Sequence, residues 1–274
     1  MPTRHFLDRP DTRLSWLDFG GTGTVLLCLH GHFGCARNFA PLAEALRGAW
    51  RVVALDQRGH GWSGHPHQCG RGVYVDDVGA LLDSVSPGVP AHLLGHSLGG
   101  ANAYQFAARH PHRTASLVVE DMSYRFGGCE PLGLGWPRRV DSADAWLRVL
   151  ARDGLDRDRH FLDSLHEFDD GWGLRCDPAW IARSQAALVG DWRDDWLAVQ
   201  CPLMLVHGSR SWATSSDDVD QMLEWQPRAR RVTLPGGHTL HDECPQEFHD
   251  ALLRFLNDVE LTPADPGRCR TIVM

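Results

Sequence analysis

Residues 91–100 read AHLLGHSLGG, and the reading of this stretch decides the fold. Residues 91–94 form a short buried strand, Gly-His-Ser-Leu-Gly turns sharply, and residues 100–109 carry helical spacing. A G-x-S-x-G pattern alone is a weak signal, because glycine and serine are common. Between a strand and a helix it becomes a nucleophile elbow. The turn strains Ser97, small residues two before and two after it avoid a clash, and its hydroxyl stands clear of the backbone. A helix N-terminus beside it favours negative charge. The bland alternative, a glycine-rich turn closed by a capping serine, ignores the flanking elements.

Similar buried runs recur on both sides: 24–29 (TVLLCL), 51–55 (RVVAL), 116–119 (SLVV), 202–206 (PLMLV) and 231–234 (RVTL). Continuous apolar runs indicate strands covered on both faces, as in a parallel sheet. Helix-period segments lie between them at 39–46, 74–85, 100–109, 216–225 and 246–259. Alternating strand and helix gives an α/β fold with right-handed crossovers, a mostly parallel sheet flanked by helices. Residues 13–19 alternate and read as an antiparallel edge strand. The rhythm breaks between residues 125 and 199, where no buried-strand run occurs. Six of the eleven tryptophans fall there, with amphipathic pieces at 144–151 and 178–188. This stretch reads as a helical cap on a core formed by 1–124 and 200–274, with a frayed tail from about Thr262. Cap tryptophans serve either packing or substrate binding. Trp136 and Trp146 are candidate substrate contacts, as are Phe33 and Trp212 outside the cap.

A serine needs a base. Residues 236–245 read GGHTLHDECP, after the last strand and before the last helix. His238 is the candidate, since imidazole exchanges protons near neutrality; His241, a turn further on, is its rival. An oxyanion needs two backbone donors. The Leu98 N–H follows the nucleophile, and the glycine-containing loop HGHFG at 30–34 supplies the second from His32, with Phe33 as alternative. His60, His65 and His67 have no recognised zinc spacing, so no metal is expected.

Taken together, HGHFG at 30–34, DQRGHGWSG at 56–64, GHSLGG at 95–100, LVVED at 117–121 and GGHTLHDECP at 236–245 resemble the α/β-hydrolase superfamily in kind and order. The resemblance covers nearly everything outside the cap and implies the α/β-hydrolase fold. It says less about reaction, because this fold hosts many chemistries. It also implies a Ser…Asp/Glu…His order. In most of the superfamily the acid lies in a G-x-x-D turn after the penultimate strand. Here that turn reads Gly208-Ser209-Arg210-Ser211. A branch of small esterases places the acid after the preceding strand, where this chain has Glu120-Asp121. Asp121 is therefore the expected acid, with Glu120 or an aspartate in 217–220 as alternatives. Exposed helix carboxylates at Asp217 and Asp218 are expected to matter little.

The 274 residues suit one large domain or a domain with an insertion. A net charge of −8 argues against a nucleic-acid or anionic-membrane binder. All 27 basic residues are arginine, which excludes chemistry built on a lysine amine and fits a GC-rich bacterial genome. No run approaches a membrane span, no secretory signal is visible, and eight scattered cysteines read as reduced thiols in a cytoplasmic protein. The expected activity is that of a serine hydrolase. It cleaves an ester or thioester of a small apolar or aromatic acyl substrate, with no organic cofactor. The same residues could instead cleave carbon–carbon bonds or perform eliminations or cyclisations. A non-catalytic small-molecule receptor is the third class.

Overall fold

A computed structural model describes residues 1–128 and 130–261; the tail expected from Thr262 lies outside the described residues. The chain begins with β1 (Thr3–Asp8), β2 (Arg13–Asp18) and β3 (Val25–Leu29). Then come α1 (Ala40–Ala45), β4 (Arg51–Asp56), α2 (Arg71–Val85), β5 (Ala91–His96), α3 (Leu98–Arg109) and β6 (Thr114–Glu120). An insertion follows. It holds β7 (Arg125–Phe126), α4 (Ala143–Ala151), α5 (Arg159–Leu162), β8 (Leu165–Phe168), β9 (Gly171–Leu174), α6 (Pro178–Leu188), β10 (Gly190–Asp191) and α7 (Arg193–Leu197). The chain closes with β11 (Leu203–Gly208), α8 (Ser216–Trp225), β12 (Arg230–Leu234), α9 (Leu240–Glu243) and α10 (Pro245–Leu261).

Eight strands form one sheet in the order β1-β2-β4-β3-β5-β6-β11-β12. From β4 to β12 neighbours run parallel, while β2 pairs antiparallel with β1 and β4. Successive side chains of a strand face opposite ways. Accordingly, Val25, Leu27 and Leu29 join one core with α2, α3 and α8, while Leu26 and Cys28 join the other with α1 and α10. Both faces are covered, which is why these strands read as unbroken apolar runs. The first strand, TRHFLD, is a half-exposed edge of mixed polarity and leaves no such signature.

The insertion is not purely helical, as its composition suggested. Strand β7 pairs with β10, and β8 with β9. These strands are two to four residues long and partly exposed, so they carry no buried run. Trp146 and Trp196 are fully buried, and with Trp180 they join the insertion to the core on the α2–α3 face of the sheet. Among the described residues, no helix is long and apolar enough to cross a membrane.

Candidate active site

Strands β3, β5, β6, β11 and β12 all point their C-terminal ends at one edge of the sheet, where ligands of open α/β sheets bind. Ser97 occupies the turn between β5 and α3 with φ 52° and ψ −120°. A side chain on Gly95 would strike the Gly99 carbonyl, and one on Gly99 would lie 2.0 Å from the Leu29 carbonyl. The elbow therefore requires both glycines sterically. The Leu98 N–H opens α3, ahead of any i−4 acceptor within the helix.

Asp121 follows β6 with φ 47°, also left-handed, and its carboxylate is fully buried. One oxygen, Oδ2, accepts from His238 Nδ1 at 2.6 Å and from Ser211 Oγ at 2.5 Å. The other, Oδ1, accepts from His207 Nδ1 and the Gly208 N–H, both at 3.2 Å. Burial pushes the carboxyl pKa up, but hydrogen bonds from His207, His238 and Ser211 outweigh it and hold the group below its ordinary value. It is a carboxylate at neutral pH. By accepting a hydrogen bond from His238 Nδ1–H it leaves Nε2 as the acceptor of the neutral ring. Glu243 ties the loop by accepting from the Gly237 and Thr239 N–H groups. Ser97 and His238 line the same cavity without a hydrogen bond between them. Such bonds commonly tighten only around substrate.

The rivals fall elsewhere. Glu120 points to the opposite side of the chain and is fully buried, accepting from the His241 N–H and Nδ1 at 2.9 and 2.8 Å. Burial alone would lower the His241 pKa, but the Glu120 charge raises it to about 9, so these two form a buried ion pair. Asp220 pairs with Arg231. Asp217 is exposed in the first turn of α8. Asp218 departs from its expected exposure: it is buried, bonded to Ser123 and Arg125, and lines the cavity. Ser211, where the usual family turn would hold a carboxylate, donates to the carboxylate of Asp121. It also accepts from the Ala213 and Thr214 N–H groups. Sequence reasoning noted this serine as an absence and missed its contact.

The loop after β3 turns through Gly31–Gly34, closed by Gly34 N–H donating to Gly31 O at 3.2 Å, with Phe33 left-handed at φ 68°. The His30 ring lies 2.7 Å from the same Gly31 carbonyl and fixes the peptide that bears the His32 N–H. From the insertion, His160 Nε2 donates to His32 O at 2.7 Å and Ser164 Oγ to Phe33 O at 2.6 Å. A side chain on Gly34 would collide with the His160 ring. The His32 ring bonds Ser184 at 3.0 Å, and Ser184 bonds the Tyr74 hydroxyl at 2.8 Å.

The cavity holds about 960 Å³. Ser97, His238, Met122, Phe33, Phe161, Leu188 and Trp212 are among its walls. Phe33 and Trp212, the two candidate contacts outside the insertion, line this cavity, and the exposed Trp212 ring lies 4.9 Å from that of His238. Two expectations are corrected. Trp146 is fully buried in the core, its indole N–H donating to Trp172 O, and does not line the cavity. Trp136 packs tilted behind Phe33, with ring centroids 5.1 Å apart, and its indole N–H donates to Asp153, so it backs the wall without forming it. Both tryptophans answer the packing needs of a thin insertion. His160, Arg125 and Asp218 line the cavity with no sequence motif to announce them. Of the three histidines weighed for a metal, His60 packs against His32 and His65 against Trp180. Among the described residues, no three His, Cys, Asp or Glu side chains gather as metal ligands.

Residues 26–251 match the model of the alpha/beta hydrolase family. The chain is 42% identical over 252 residues to the dihydrolipoyllysine-residue acetyltransferase component of the acetoin cleaving system of Pseudomonas putida, covering 89% of this chain and 66% of that protein. It is 28% identical over 261 residues to sn-1-specific diacylglycerol lipase ABHD11 of Mus musculus, covering 88% and 83%. Among solved structures, E-2-(acetamidomethylene)succinate hydrolase superposes with a TM-score of 0.83 at 23% identity, covering 94% of this chain and all of that one, a likeness of fold alone.

Proposed function

The chain belongs to the alpha/beta hydrolase family, and from that premise we propose that it is a serine hydrolase of carboxylic esters or thioesters. Ser97 Oγ attacks the acyl carbon while His238 Nε2 takes its proton. The oxyanion is held by the backbone N–H groups of Leu98 and His32. Collapse expels the alcohol or thiol, which leaves with the proton from His238. Water then attacks the acyl-enzyme, giving its proton to His238; the Ser97–acyl bond breaks, His238 returns that proton to Ser97 Oγ, and the acid is released. Asp121 keeps the imidazole in the right tautomer and stabilises the imidazolium. The insertion acts as a cap that covers the acyl group, with Phe33 and Trp212 as its contacts.

The observation that carries this reading is the 2.6 Å contact between His238 Nδ1 and the buried Asp121, on the same cavity as the left-handed Ser97. The mainly apolar wall supports an uncharged or aromatic acyl group. The relatives' names, a lipase and an acetyltransferase component, are consistent with acyl chemistry. A fluorophosphonate probe tests it: labelling should fall on Ser97, with p-nitrophenyl ester turnover lost in Ser97→Ala. Labelling of another serine, or full turnover in the alanine variant, overturns it. A second reading, carbon–carbon cleavage, has one observation in its favour. The His32 ring, held by Ser184 and through it by Tyr74, adds a fixed imidazole to the cavity wall, where a leaving carbanion would need a proton. Turnover of a 1,3-diketone in preference to esters would select it.

A further inference from the structure

We infer that the cavity takes uncharged acyl groups and that Asp218 is the residue that turns anionic ones away. This rests on the serine-hydrolase reading of the same cavity. Four acidic or basic side chains other than the catalytic pair meet the cavity: Arg125, Glu130, Asp158 and Asp218. That is one positive charge against three negative. The remaining titratable walls add no cation, because burial lowers the pKa of His32, His96 and His160 and keeps them neutral.

Arg125 is the lone cation among the described lining residues, and it is occupied. Its Nη2 lies 2.6 Å from Asp218 Oδ1. The carboxylate is the more buried partner, with 12% of its side chain exposed against 58% for the guanidinium. Asp218 is held by more than Arg125. It sits in the first turn of α8, where the helix N-terminus favours a negative charge, and Ser123 donates to its Oδ2 at 3.1 Å. A substrate carboxylate entering here would lose water, meet three negative charges and find its only counter-ion neutralised. An uncharged chain meets Met122, Phe33, Phe161 and Leu188 and pays none of this. Removing the Asp218 charge while keeping its shape should release Arg125 to an anion.

The experiment compares p-nitrophenyl butyrate with p-nitrophenyl hemisuccinate, each kcat/KM divided by the ester's own rate with hydroxide. Wild-type enzyme should favour the neutral ester at least about tenfold at low salt, the scale of one unpaired charge contact. The preference should shrink as salt screens it. Asp218→Asn should raise the anionic-to-neutral ratio about tenfold, and adding Arg125→Gln should return it. If Asp218→Asn does not fold, Glu130→Gln on the exposed rim and the salt dependence of the wild-type ratio carry the test. A wild-type ratio near one, or a ratio unmoved by salt and by these substitutions, overturns the inference while Ser97-dependent turnover of the neutral ester leaves the hydrolase reading standing. Loss of both esters, with no labelling of Ser97, overturns both.

Discussion

Three non-glycine residues among those described have positive φ: Phe33, Ser97 and Asp121. All three border one site, and strain of this kind persists only where surrounding contacts impose it. Asp121 carries the sharpest residue-scale prediction. Asp121→Asn keeps the shape but can offer His238 the wrong hydrogen-bond partner, so kcat should fall by ~10⁴-fold. Adding Ser211→Asp to that variant restores a carboxylate within a side chain's reach of His238 and should recover at least about tenfold of kcat; no gain would mean the usual position cannot serve this histidine. The other acid of the pair, Glu120, belongs to the fold. Since the His241 pKa rises to about 9, above the free imidazole's 6.5, the ion pair stabilises fully below pH 6.5 and is lost as pH climbs through 9. Thermal melts of the wild type should therefore weaken over that window more than those of His241→Gln; parallel curves would refute the pairing. The contact of Asp121 with His238 was legible because an acidic pair ends the buried run of β6 while the turn after β11, where a carboxylate was expected, holds Ser211. The burial of Asp218 was not, since a helix's first turn is ordinarily solvated and only the neighbouring Ser123 and Arg125 reveal otherwise.

At the scale of elements, the insertion does more than contribute walls to the cavity. His160, in the four-residue helix α5, and Ser164 just beyond it hold two consecutive carbonyls of the Gly31–Gly34 loop, whose His32 N–H is the proposed second oxyanion donor. His160→Ala should cut kcat about tenfold or more, with less effect on KM for a small acetate, because a donor aimed at the transition state is loosened. His160→Gln, which can still donate, should recover part of it. An equal fall in stability and no change in kcat of the folded fraction would make His160 merely structural. Trp146 is the contrasting case: fully buried, it should cost ~3–5 kcal/mol when cut to alanine, read by denaturant unfolding, with substrate preference unchanged. Its role was illegible because a tryptophan in an amphipathic helix looks the same whether its face meets a ligand or a neighbouring strand.

At the scale of the molecule, the order of motifs along the chain predicts the sheet well, because doubly covered strands are apolar without interruption and each functional loop follows one of them. Strand β1 and the pairs β7–β10 and β8–β9 escaped that logic, being short or half-exposed. The same order has a practical consequence. Between α4 and α5 the chain passes through a largely exposed turn at 152–157. A break there would leave Ser97 and Asp121 on one fragment and His238 on the other, while β6 and β11, adjacent in the sheet, would become the seam between them. Neither fragment alone would hold a complete relay. Fused to two proteins that bind each other, the halves would form a split reporter whose signal switches on with their association.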